Sequence, residues 1–218
     1  MVGESPVGGL YPRAVDALRD PAAHGFDPGW AVAPDVAAIL LAEIKHASPR
    51  TVVELGSGWS TVLLASALSG ADRAELISID EDAGWLERTR GVLVEQGLDR
   101  SCRLVHAPIR PISLKAGEFE WYGVALPLAR HPIDLLFVDG PSNPPKGGGK
   151  RRYPALPILN AQLAGDAVVI VDDANRDGEE EMVRRWTSEL GWNAEWLDTA
   201  RGCAILRRAP ISRAAAAR

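Results

Sequence analysis

From Thr51 the chain reads Thr-Val-Val-Glu-Leu-Gly-Ser-Gly-Trp-Ser-Thr: an apolar run, a carboxylate, two closely spaced glycines, then residues suited to begin a helix. Such a stretch folds as a strand that turns tightly over a ligand. Gly56 and Gly58 let the backbone bend and approach that ligand with no Cβ in the way, while Ser60 and Thr61 suit the first positions of a helix. A phosphate-binding loop of this kind aims helix N–H groups at an anion, which Glu54 would repel. The loop therefore favours a ligand that carries positive charge.

The rest of the chain alternates strand and helix around this turn. A short helix is expected over Pro12–Arg19 and a clearer one over Asp35–His46, where Val36, Ile39, Leu40 and Ile44 follow the helical period and Pro34 precedes the first turn. Strands follow at Thr51–Leu55, Leu76–Ile79 (closed by Asp80), Cys102–His106, Ile133–Val138 and Ala167–Val171. Helices are expected over Ser60–Ser69, from the Asp82 cap to Gln96, over Pro154–Leu163 and over Glu179–Leu190. Asn193–Leu197 and Cys203–Leu206 read as a closing pair of strands. The stretch between His106 and Ile133 reads as irregular, and Ser142–Arg152, with Lys146, Lys150, Arg151 and Arg152, as a basic Gly- and Pro-rich loop. Continuous apolar strands separated by amphipathic helices predict a doubly wound α/β domain whose parallel sheet is covered on both faces. We divide the chain into an N-terminal cover (1–34), that domain (35–208) and a low-complexity tail (209–218) expected to be disordered.

A chain of 218 residues that is 46% hydrophobic suits one domain with a full core. The net charge of −5 and the lack of a basic stripe argue against nucleic acid as a partner and for a small-molecule substrate. The first ten residues do not read as a signal peptide, and no stretch reaches membrane-spanning length. Cys102 and Cys203, the two cysteines, lie far apart in predicted strands, so neither a disulfide framework nor a cysteine metal cluster is expected. A cytoplasmic protein off the membrane fits, and a homodimer is compatible with the sequence.

In a doubly wound sheet the ligand lies beyond the carboxyl ends of the strands. Asp80 ends the second strand about twenty residues after the glycines, the spacing at which a carboxylate meets ribose hydroxyls. That pairing points to an adenosine-type ligand. The segments Glu-Leu-Gly-Ser-Gly (54–58), Ile-Ser-Ile-Asp (77–80), Asp-Leu-Leu-Phe-Val-Asp-Gly (134–140) and Val-Val-Ile-Val-Asp-Asp (168–173) resemble the successive motifs of class I S-adenosylmethionine-dependent methyltransferases, above all the small bacterial type. The resemblance implies a Rossmann-like sheet of seven strands with its last strand antiparallel. It also implies that Glu54, Gly56, Gly58 and Ser60 surround the methionine part of S-adenosylmethionine, with Asp80 on the ribose. The expected activity is methyl transfer to an oxygen, or a nitrogen, of a small molecule.

Asp139, Asp172 and Asp173 end neighbouring strands and are candidates for the reaction centre. Three carboxylates converging on one crevice suit a hard cation such as Mg²⁺. The arrangement resembles that of the metal-dependent catechol and caffeoyl-coenzyme A O-methyltransferases, except that no lysine follows Asp139 closely. In the metal-free reading Asp139 touches the cofactor's amino group, Asp172 caps a turn and Asp173 meets the substrate. Both readings stand at this point. Among proton acceptors His106, at the end of the third strand, and His24, in the N-terminal cover, can reach the crevice. Trp30, Trp59, Trp121 and Tyr122 belong near the ligand, whereas Trp186, Trp192 and Trp196 read as core or subunit contact. Two other functions compete: a nicotinamide-dependent oxidoreductase, disfavoured because Thr61 stands where its third glycine would be, and a protein that binds S-adenosylmethionine without methylating.

Overall fold

A computed structural model describes residues 21–69, 74–143 and 150–209. The expected helix over 12–19, Lys146 and the tail from residue 210 onward lie outside the described residues. The central feature is a seven-stranded sheet. Its strands are β1 (Thr51–Leu55), β2 (Glu75–Asp80), β3 (Cys102–His106), β6 (Ile133–Val138), β7 (Leu163–Asp172), β8 (Trp192–Leu197) and β9 (Cys203–Arg208). In space they run β3-β2-β1-β6-β7-β9-β8. All are parallel except β9, which pairs antiparallel with both β7 and β8. The order reverses between β1 and β6, and that reversal opens the ligand crevice.

Both faces of the sheet are covered, which is why β1 is buried at all five positions. On one face lie α1 (Pro34–Ala47), α2 (Trp59–Leu68) and α3 (Ala83–Glu95). Val52, Leu135, Phe137, Val168 and Ile170 point toward these helices and meet Leu40, Leu41, Leu63 and Leu64. On the other face Val53, Leu136, Val138, Val169 and Val171 meet α4 (Ala155–Leu159) and α5 (Asp177–Leu190). Each strand thus deals alternate residues to two separate cores. The inward stripe of α5, Glu179, Met182, Val183 and Trp186, has the spacing of one helical face.

The stretch after His106 is not irregular. Residues 109–122 form a hairpin of β4 (Ile109–Leu114) and β5 (Gly117–Tyr122), joined at Lys115-Ala116. The alternation Glu118-Phe119-Glu120-Trp121 drives it, because Phe119 and Trp121 bury while the glutamates face water. The helix expected over Pro154–Leu163 is shorter than its sequence suggests, since Leu163 already pairs with Ile133 at the start of β7.

The three C-terminal tryptophans divide. Trp186 and Trp192 are buried, with Trp186 donating from Nε1 to the Tyr153 carbonyl at 3.0 Å, whereas Trp196 is 43% exposed. Trp186→Ala should therefore destabilise the protein by about 3–5 kcal/mol in urea unfolding. Trp196→Ala should stay within about 0.5 kcal/mol of the parent.

Candidate functional site

Beyond the ends of β1 and β6 two backbone turns touch. Gly56 has φ +95°, and a Cβ there would lie 3.0 Å from the Gly140 nitrogen. A Cβ on Gly140 would lie 2.8 Å from the Gly56 Cα and 2.3 Å from the Tyr122 hydroxyl. Only glycine fits at either position. The contact forms the floor of a cavity of about 290 Å³ whose walls include Ser57, Asp80, Glu81, Asp82, Trp85, Asp139 and Ser142.

Under this floor lies a buried polar layer. Glu54 accepts hydrogen bonds from the hydroxyls of Thr61 (2.5 Å) and Ser78 (2.6 Å). The Gly58 N–H donates to Thr61 Oγ1 at 2.8 Å and begins α2. Burial pushes the Glu54 carboxyl up to about 7, against the neighbouring hydroxyls. Of the residues expected around the ligand, Gly56 lines the cavity, whereas Glu54, Gly58 and Ser60 are not among its lining residues. Glu54 points into the sheet, where it ties β1 to β2 and α2.

Asp80 does line the cavity. Its Oδ2 accepts the Ser57 N–H at 2.7 Å and its Oδ1 the Asp82 N–H at 2.8 Å, so both oxygens are fixed by backbone and keep lone pairs for a ligand. Burial raises its pKa to about 7. Trp85 closes that side by donating from Nε1 to the Ser57 carbonyl at 2.5 Å.

At the other end the sequence-predicted aspartates converge, but three arginines meet them. Arg152, 5% exposed, places Nη2 at 3.2 Å from Asp139 Oδ1 and 3.4 Å from Asp173 Oδ2. Arg201 reaches Asp172 Oδ2 at 3.2 Å and also donates to the carbonyls of Gly29 and Ala31, which pins the segment carrying Trp30 over the cavity. Arg176 approaches Asp173 Oδ2 at 2.9 Å. Asp172 Oδ1 accepts the Asp173 N–H at 2.8 Å, the bond of a turn cap, and Asp173 itself holds φ +58°. Burial raises the pKa of Asp139 and of Asp172, with Arg152 opposing the rise at Asp139. This donor set does not fit a divalent cation. Its carboxylates are already neutralised by guanidinium groups that would repel the ion, and no His, Cys, Asp or Glu cluster among the described residues has the geometry to hold one.

Neither candidate histidine lines the cavity. His106 Nε2 sits 3.1 Å from the Glu81 carbonyl oxygen on the exposed side of the β3 end, and His24 stacks on Trp59 at 5.3 Å. The residues that sequence reasoning missed are Arg176 and Arg201, and the inward role of Arg152. Arg176 stands three residues after Asp173, a readable pairing distance, whereas Arg201 arrives from the β8–β9 turn and leaves no local signal.

A family model described as a methyltransferase domain matches residues 53–174, more than half of the chain. The chain belongs to the methyltransferase domain family. All four motifs quoted from its sequence fall inside the matched interval. No curated protein matches this methyltransferase. Solved structures share its fold across nearly the whole length. The O-methyltransferase TomG from Streptomyces achromogenes, involved in tomaymycin synthesis and in complex with S-adenosylmethionine, is 19% identical, with TM-score 0.64 over 94% of this chain and 99% of its own. An O-methyltransferase from Bacillus cereus in complex with S-adenosylhomocysteine is 15% identical, with TM-score 0.64 over 96% and 93%. The cofactor-bound Rv0187 from MTB is 19% identical, with TM-score 0.64 over 95% and 91%.

The glycine contact sets a sharp expectation for stability. Gly140→Ala should cost about 1–3 kcal/mol in urea unfolding, because the added methyl has no space. Gly91→Ala, in the interior of α3 with nothing within 4 Å of the new Cβ, should instead stabilise by about 0.5–1 kcal/mol.

Proposed function

We propose that this methyltransferase takes its methyl group from S-adenosylmethionine and passes it to an oxygen of a small hydroxylated acceptor. One observation carries the reading: Asp80 and Asp139, from strands that flank β1 on opposite sides, face a single cavity floored by the Gly56–Gly140 contact. Carboxylates at both ends suit a ligand with ribose hydroxyls and positive charge, with Asp80 on the ribose and Asp139 on the α-ammonium. S-adenosylmethionine, when bound, supplies a methyl carbon made electrophilic by its sulfonium. The protein's part is to align the acceptor oxygen with that carbon, which supplies much of the rate in a displacement.

Asp173 is the residue best placed to receive the acceptor. The residue lines the cavity, and its buried Oδ1, 3.4 Å from Arg201 Nε, accepts no hydrogen bond among the described residues, so it is the oxygen an acceptor would satisfy if binding uncovered it. An acceptor hydroxyl donating to that oxygen would complete its hydrogen bonding and leave its own lone pair free to attack. A carboxylate in this place favours oxygen over nitrogen as the methylated atom, as do the O-methyltransferase neighbours. Trp30, 70% exposed at the cavity mouth, offers a face for a planar acceptor. Assistance by Mg²⁺ is left out of this reading, because the aspartates are paired with arginines.

A nicotinamide site is disfavoured for a structural reason: Thr61, in place of the third glycine, is bonded to Glu54 and Gly58 beneath the loop. No helix among the described residues is long and apolar enough to cross a membrane. The free thiols of Cys102 and Cys203 support placing the protein in the reducing cytoplasm.

Incubation with S-adenosylmethionine and a panel of hydroxylated aromatics and sugars should release S-adenosylhomocysteine with at least one of them. Calorimetry that finds NAD binding and no S-adenosylmethionine binding would overturn the reading. The cofactor step also has a pH signature. Free Asp80 keeps its proton up to about pH 7, and hydroxyl donors with nearby positive charge favour the carboxylate, so binding releases a proton below that pH. Affinity for S-adenosylmethionine should rise as pH increases toward 7, by up to about tenfold per pH unit, and level off above it. Asp80→Asn should flatten the rise, as read by calorimetry in buffers of different ionisation heat.

A further inference from the structure

Four carboxylates, Asp139, Asp172, Asp173 and Glu179, gather where β6, β7 and α5 meet, and the Arg152 guanidinium stands among them. Nη2 bridges Asp139 and Asp173, Nη1 donates to the Asp172 carbonyl at 3.2 Å, and Nε lies 3.5 Å from the Pro141 carbonyl and 3.8 Å from Glu179 Oε1. Every nitrogen of the group is therefore directed at an oxygen of the turns that bound the cavity. Asn143 Nδ2 supports the same arrangement by donating to Glu179 at 2.7 Å.

The backbone that aims this side chain is itself held by the core. The Arg152 carbonyl accepts the Ala155 N–H at the start of α4. The next residue, Tyr153, accepts from Trp186 at its carbonyl and stacks its ring on Phe119 at 4.9 Å. A buried guanidinium is costly unless its charge is matched and its donors are satisfied. Here both conditions are met, and in turn the guanidinium holds together carboxylates that would otherwise repel one another.

We propose that Arg152 is a resident cation: it stands between the Asp139 and Asp173 carboxylates and the Asp172 carbonyl, where a divalent ion would have to sit, and positions Asp139 and Asp173 without a metal. It acts as a positioning residue, since its contacts run to the aspartates that face cofactor and acceptor. The consequence is specific. The native protein should take no divalent cation at this site, and removal of the guanidinium should free Asp139 and Asp173 to close around one, although the carboxylates are not arranged for an ion while Arg152 stands among them. The proposal rests on the methyl-transfer reading only for the roles of Asp139 and Asp173, and its test needs neither methyl donor nor acceptor.

The experiment titrates Mn²⁺ into the full-length protein, followed by calorimetry and by thermal unfolding, with EDTA and with NaCl of equal ionic strength as controls. For the native chain we expect no saturable heat and no shift in melting temperature at up to about 5 mM ion, a range that covers ordinary carboxylate sites. Arg152→Ser should lower the melting temperature by roughly 10 °C. Mn²⁺, but not NaCl, should restore most of that loss, and adding Asp139→Asn should abolish the rescue. If Arg152→Ser does not fold alone, refolding it with Mn²⁺ against NaCl reads the same gain. Arg152→Lys, which keeps the charge, should need no ion. Stoichiometric Mn²⁺ binding by the native chain that Asp139→Asn removes would overturn the proposal, and so would Arg152→Ser with no ion-specific rescue. Neither result bears on whether S-adenosylhomocysteine is formed, so failure here and failure of the proposed activity remain distinct.

Discussion

The contact between the backbones of Gly56 and Gly140 is the constraint on which the rest of the site depends. It brings the ends of β1 and β6 together at the point where strand order reverses, and neither turn can carry a side chain there. Because the two turns touch, Asp80 on one flank and Asp139 on the other open onto one cavity. The hairpin β4–β5 takes part from below, since the Tyr122 hydroxyl packs directly beneath Gly140. An element that looks peripheral in the chain thus helps form the floor of the site.

Charge is handled differently at the two ends. At the loop end, Glu54 and Asp80 are held by hydroxyls and backbone N–H groups, with no cationic side chain among the described residues bonded to them, and burial pushes both carboxyls up to about 7. Where β6 and β7 end, buried carboxylates face three arginines in a nearly balanced cluster. The first arrangement fixes both Asp80 oxygens by backbone N–H groups and leaves their remaining lone pairs facing the cavity. The second is nearly complete in itself, with the buried Asp173 Oδ1 facing Arg201 Nε at 3.4 Å and accepting no hydrogen bond among the described residues.

How much of this was legible in the sequence follows from the range of each interaction. Strands β3 and β6 were readable residue for residue, because a short, mainly apolar run, interrupted only by Arg103 or Asp134, that is bounded by polar and turn residues is a local signal. Asp80 and the glycines were readable because loop, strand and carboxylate recur at fixed spacing. The β4–β5 hairpin was missed although Phe119 and Trp121 alternate with glutamates, because Pro111 and Arg110 interrupt the apolar pattern of β4 and the pair lies outside the main sheet. The direction of the Glu54 side chain was not legible, since a carboxylate beside two glycines reads alike whether it faces the ligand or the hydroxyls of Thr61 and Ser78, to which it is bonded.

By itself the sequence determined the doubly wound sheet, the family and the strand ends that bound the crevice, because hydrophobic period and glycine placement act over a few residues. Only the tertiary structure decided what surrounds the three aspartates. Arg152, Arg176 and Arg201 come from the start of α4, the turn before α5 and the turn between β8 and β9, and Arg201 lies 29 positions from Asp172 in the chain. Pairing between charges depends on distance in space, so residues that read as a loose basic loop and an unremarked turn become the counter-charges of a buried site.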